Sequence, residues 1–102
     1  MYGITIVLDE YELLASIKDL QVIQNLTEAK IEIYQTIRRV LMQEGFECIH
    51  DGFYRNNDEN MLSVTKAMSA LRSHIGDTLC IKSVHVFKVS QWSDFTSFIN
   101  QI

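Results

Sequence analysis

A chain of 102 residues, 47% hydrophobic and 22% charged, has the make-up of one globular domain, which excludes a disordered, fibrous or linker-dominated protein. Its formal net charge of −4 argues against a broad electrostatic surface for nucleic acid, because phosphate binding draws on clustered Lys and Arg, but leaves room for a local one. The opening Met1-Tyr2-Gly3-Ile4 has no basic leader, and no apolar run approaches the roughly 20 residues that span a bilayer, so a cytoplasmic protein without membrane contact is expected. Cys48 and Cys80 stand far apart, without a CxxC pairing or a nearby His; free thiols are expected, with neither a zinc site nor a disulfide.

Tyr2 to Asp9 alternates as a strand, with Tyr2, Ile4, Ile6 and Leu8 on one side and Gly3, Thr5, Val7 and Asp9 on the other. The first set is expected to face helices. Asp9 then falls on the open face at the strand's C-terminal end, where carboxylates serve function and also simply turn chains. Glu10 to Gln24 reads as an insertion with some helix and no clear caps; its apolar residues can cover a sheet edge or meet a partner.

A helix is expected from Leu26 to Glu44, opened by Asn25 with Glu28 three residues on and closed by Gly45, with Ala29, Ile33, Ile37, Val40 and Leu41 as its buried stripe. Arg38 and Arg39 fall off that stripe, onto a solvated face. Phe46 to His50 and Phe53 to Arg55 form strands around Asp51-Gly52, the strongest two-residue hairpin signal. Asn56-Asn57-Asp58 offers capping chemistry to a second helix, in which Met61, Val64, Met68, Leu71 and Ile75 step by three and four until Gly76.

The last strand, Ile81 to Val89, sets Ile81, Ser83, His85, Phe87 and Val89 against Lys82, Val84, Val86 and Lys88. The whole order, β-α-β-β-α-β, predicts an α+β, ferredoxin-like sandwich with two helices on one sheet face and the other face bare. A homodimer is the economical cover. Beyond that strand Ser93 and Asp94 resemble a helix start, and Trp92, Phe95 and Phe98 recur every three residues in a C-terminal extension that has to dock on its own domain or on a neighbour.

The opening Met-Tyr-x-Ile strand, the stretches Ile33-Tyr34 to Gly45-Phe46 and Asn60-Met61 to Ala70-Leu71, and Val89-Ser90-Gln91-Trp92-Ser93-Asp94-Phe95 together resemble the virulence-associated protein D (VapD) family. The likeness covers nearly the whole chain as a single domain, residues 1–102, apart from the 10–24 insertion. That family is similar to the CRISPR-associated endoribonuclease with a ferredoxin-like fold. The resemblance implies an RNA-cleaving toxin of a toxin-antitoxin pair, working as a homodimer around a first-strand Asp, with Mg²⁺ left open as a helper and an antitoxin protein as a further partner. By direct counting from Met1 the family's acid falls on Val7, while Asp9 lies two residues later, on the same face and roughly 6.5 to 7 Å along the strand. In the hairpin, the family's Gly and small hydroxyl residue are replaced by Asp51-Gly52.

The expected site is therefore Asp9 with His50 and His85 as candidate proton carriers, and Arg55, Lys82 and Lys88 as phosphate contacts. No metal ligands are assigned. Trp92, Phe95 and Phe98 are expected at a dimer interface. A second reading keeps the fold and the dimer but acts by binding, as a regulatory or antitoxin-like protein or against a relative in the CRISPR machinery.

Overall fold

The computed structural model describes residues 1–15, 22–76, 80–93 and 95–100, with the side chains of 14, 15 and 22–25 excepted. Its elements run β1 (Tyr2–Leu8), α1 (Glu10–Ala15), α2 (Val22–Gln43), β2 (Glu47–His50), β3 (Phe53–Asn56), α3 (Met61–Ile75), β4 (Ile81–Lys88) and a terminal turn of helix, α4 (Thr96–Ile99). The strands make one antiparallel sheet in the order β2-β3-β1-β4, the ferredoxin-like arrangement in which the two long helices cover one face.

The alternation of β1 decides which face is covered. Tyr2, Ile4, Ile6 and Leu8 are buried beneath Ile37, Val40 and Leu41 of α2 and Val64, Ala67, Leu71 and Ile75 of α3. Met61, expected in the α3 stripe, is exposed, and Ala67 takes the deep position because a small side chain lets helix and sheet approach. Tyr54 on β3 is fully buried in the same core, and burial pushes its phenol up to about 12.

α2 ends in a Schellman motif. Gly45 adopts a φ of 87°, Phe46 N–H donates to Leu41 O at 2.9 Å and Gly45 N–H to Met42 O at 3.1 Å. The start of α2 departs from expectation: the helix begins at Val22, so Asn25 lies within it and does not cap it. α3 is capped by Asn60, whose side chain accepts from Leu62 N–H at 2.9 Å, while Asp58 accepts from the Ser63 hydroxyl and from Asn60 N–H. The hairpin turn rides on β1. Gly52 has a φ of 89°, its carbonyl accepts from Ile6 N–H at 2.8 Å, and a Cβ there would lie 2.8 Å from Ile6 O, so only glycine fits.

Candidate functional site

The open sheet face carries Gly3, Thr5 and Val7 from β1, and register assigns its remaining residues. Arg55 and Phe87 flank Gly3, Phe53 and His85 flank Thr5, and Ser83 faces Val7. β4 then bulges at Lys82, so that Ile81 pairs with Leu8 on the helix side. One consequence concerns the two histidines. His50, Phe53, Thr5 and His85 form a single cross-strand row, which places the imidazoles three strand spacings apart, about 14 Å. Within one chain they do not serve a common phosphate.

Asp9 closes β1. Its N–H donates to Cys80 O at 2.6 Å, which ties it to the start of β4, and its carboxylate Oδ1 accepts from Glu12 N–H at 3.1 Å while its carbonyl accepts from Leu13 N–H at 3.0 Å. Asp9 is thus the N-cap of α1. The helix it caps is fastened to α2 by an ion pair from Lys30 to Glu10 at 2.6 Å, which holds the Lys30 ammonium above its ordinary range, and by the buried Leu13. The signal for this cap is present in the sequence as Asp9 with Glu12 three residues on, the N-cap and N3 positions of a capping pair.

Of the expected cations, Lys82 is exposed at the bulge of β4, two residues beyond Cys80, whose carbonyl holds the Asp9 N–H. Arg55 is engaged: its Nε donates to Glu47 at 3.1 Å and its guanidinium lies 4.5 Å from the centre of the Trp92 ring. Lys88 pairs with Tyr2 at the far end of the sheet, about 20 Å from Lys82 along the strand, where its charge helps hold the Glu59 carboxyl low. The structure ties Asp9 to the strand that carries Lys82 through the Asp9–Cys80 backbone bond and leaves Arg55, Lys88 and the two histidines at separate places.

The tail divides in the same way. Trp92 folds back on its own sheet, 5.7 Å from Phe53, which in turn lies 6.0 Å from Phe87 and 5.5 Å from His50. Phe87 lies over Gly3, where a Cβ would come within 2.5 Å of the ring. Phe95 and Phe98 meet edge to face at 6.3 Å and remain exposed, 65% and 69%, with Ile99 beside them at 74%. The α4 turn begins at Thr96, with Phe95 at its cap position, so Ser93 does not start it; Asp94 lies outside the described residues. Arg38, on the solvated face of α2 as expected, pairs there with Asp51 of the hairpin turn at 2.9 Å; the carboxylate holds its guanidinium above the ordinary range.

Among the described residues no three His, Cys, Asp or Glu side chains gather where they would hold a metal ion. Cys80 is buried and Cys48 half-buried. No helix among the described residues is long and apolar enough to cross a membrane.

A β-α-β-β-α-β domain with two helices on one face of a four-stranded antiparallel sheet and a carboxylate at the end of its first strand has a ferredoxin-like fold. No protein-family model matches the chain. It is 34% identical over 68 residues to Endoribonuclease VapD of Haemophilus influenzae, a match covering 67% of this chain and 75% of the relative. It is 33% identical over 66 residues to Endoribonuclease VapD of Dichelobacter nodosus, covering 65% and 71%, and 28% identical over 76 residues to an Endoribonuclease VapD homolog of Neisseria gonorrhoeae, covering 74% and 83%. The chain belongs to the VapD family, for which these relatives support RNA cleavage at the family level.

Proposed function

We propose that this chain is an endoribonuclease that cuts RNA phosphodiester bonds as a homodimer, in the role of a toxin restrained by an antitoxin protein. The observation that carries the reading is its relationship to proteins named as endoribonucleases over three quarters of the length of one of them. The bare end of the open face supports it. There Asp9 takes the proton of an RNA 2′-hydroxyl, the O2′–P bond forms as the P–O5′ bond breaks, and the departing 5′-oxygen takes a proton from a histidine or from water, while Lys82 offsets the phosphate charge. Pairing of two open faces brings side chains from both protomers to one cleft, which is how His85 or His50 reaches a phosphate held at Asp9. Arg55, whose guanidinium lies over the Trp92 ring, and Lys88 extend the phosphate track.

Phe95, Phe98 and Ile99 leave an apolar surface at the tail that a second copy covers, with Trp92 behind it as the anchor. Light scattering at micromolar concentration is expected to give the dimer mass, and Phe98→Glu to lower it; a monomeric wild-type protein contradicts the dimer.

The second reading, a VapD protein that binds without cutting, is favoured by the commitment of the Asp9 carboxylate to its helix cap and by Val7 at the position of the family's acid. Incubation of the purified protein with mixed RNA, with and without Mg²⁺, separates the two. The nuclease reading expects fragments from the wild type and intact RNA from Asp9→Asn; intact RNA in every lane favours binding alone.

A further inference from the structure

The sheet has two edges, and they are protected differently. β2 is four residues long and bulges at Ile49, two devices that discourage pairing with another chain. β4 is eight residues long, and its outer side carries no strand among the described residues. Beside it, on the helix face, lies a groove of about 300 Å³ whose floor is Ile6 and whose walls are Met68, Leu71 and Ile75 of α3 with Ile81 and Val84 of β4. α3 stops short of covering this strand, which leaves Val84 39% exposed beside a core of buried neighbours.

We propose that the β4 edge and this groove form the docking site for an extended segment of a partner protein, with apolar residues at alternate positions and acidic residues at its ends. Strand addition supplies the backbone hydrogen bonds that β4 leaves unmade, and the period-two repeat of a strand sends every second side chain of the segment into the groove. Charge selects the acidic flanks. Arg72 lines the groove and Lys82 stands exposed at the bulge, neither with an ion-pair partner among the described residues, in a chain whose net charge is −4.

Two other occupants fit less well. The chain's own tail leaves β4 for the opposite face, where Trp92 lies against Phe53. A second copy paired antiparallel through β4 and centred on His85 would set Lys82 against Lys88 at both ends of the ladder, and like charges directly opposite one another are unfavourable. The groove lies on the helix face, away from the open face, and shares only Lys82, at its margin, with the proposed RNA cleft; the inference does not depend on cleavage.

The test uses the full chain and a fluorescein-labelled synthetic heptapeptide, Glu-Val-Thr-Val-Thr-Ile-Glu, with an isomer in which the alternation is broken and a counterpart flanked by lysines. Saturable binding by fluorescence anisotropy is expected for the first peptide only, and amide spectra of the labelled protein are expected to shift along Ser83–Phe87. The double variant Arg72→Glu/Lys82→Glu, at exposed positions, is expected to bind about tenfold more weakly and to gain affinity for the lysine-flanked peptide. Val84→Glu, which places a charge in the groove, is expected to abolish binding without changing the mass of the protein. Equal binding of all three peptides, no saturable binding, or a Val84→Glu variant that falls from dimer to monomer overturns the proposal; the last result assigns the edge to a second copy.

Discussion

Ile6 and Val7 are neighbours on one strand, yet Ile6 is 3% exposed beneath two helices and Val7 is 48% exposed on the open face. Along the open side of β1 exposure grows from buried Gly3 through half-buried Thr5 to Val7. On the helix side its residues join a continuous apolar core; on the open side the Gly3 end is dressed by Phe87, Phe53 and Trp92, while the Val7 end is left to Ser83, Lys82 and Asp9. One face holds the fold together. The other is only half finished by the chain itself, and the unfinished half is where a partner or substrate has room to act.

The sharpest way to break this contrast is to truncate both sides of β1. Ile4→Ala, at a position with no exposure, is expected to cost about 2–5 kcal/mol, since the site cannot collapse around the cavity. Val7→Ala is expected to stay within about 0.5 kcal/mol in the monomer. Denaturant unfolding of both variants checks this, and equal losses would mean that the open face is packed as tightly as the core.

Trp92→Ala probes the dressed end. Loss of the ring that lies on Phe53 and beneath Arg55 is expected to cost about 1–2 kcal/mol and to leave Glu47 as the remaining anchor of the guanidinium among the described residues. A thermal melt reads the stability, and the near-ultraviolet circular dichroism of the aromatic cluster reads its order. An unchanged spectrum would mean that Trp92 does not sit on the sheet.

The smallest effect concerns acid. The Glu59 carboxyl is held low by the hydrogen bond and charge of the Met1 amine, and Asp58 by the Ser63 hydroxyl and Asn60 N–H. Groups with a lowered folded value stabilise the protein above their unfolded value, about 4, and that contribution fades as the pH falls through the folded value. Both are exposed, so the effect is modest. Glu59→Gln is expected to flatten the acid limb of a plot of melting temperature against pH below about 4 and to leave its neutral region little changed; an acid limb as steep as the wild type's would show that the pair contributes nothing.

Most of the fold is legible in the sequence because its cause is periodic. The alternation in β1, the spacing of Ile37, Val40 and Leu41, and the Gly45 and Gly52 positions each state a local rule that the packing obeys. The start of α2 misleads because Asn25 and Glu28 imitate a cap inside a helix that already begins at Val22. The site is harder to read. Asp9 is conspicuous as a carboxylate at a strand end, but its hydrogen bond to Glu12 depends on α1, a helix too short to announce itself by repeat. The separation of His50 from His85 depends on strand order, which alternation along one strand does not contain. Likewise the return of Trp92 onto Phe53 follows from where the chain turns after β4, not from the three-residue spacing that groups Trp92 with Phe95 and Phe98.

Asp9 caps α1 and, in the proposed mechanism, also serves as the base at the end of β1. Asparagine caps a helix about as well as aspartate but takes no proton. Rates of RNA cleavage by wild type and Asp9→Asn, measured on one substrate at matched folded fractions, separate the two jobs. A fall of about 10²–10⁴-fold with an unchanged melting temperature is expected; full cleavage by Asp9→Asn would leave Asp9 as a helix cap and nothing more.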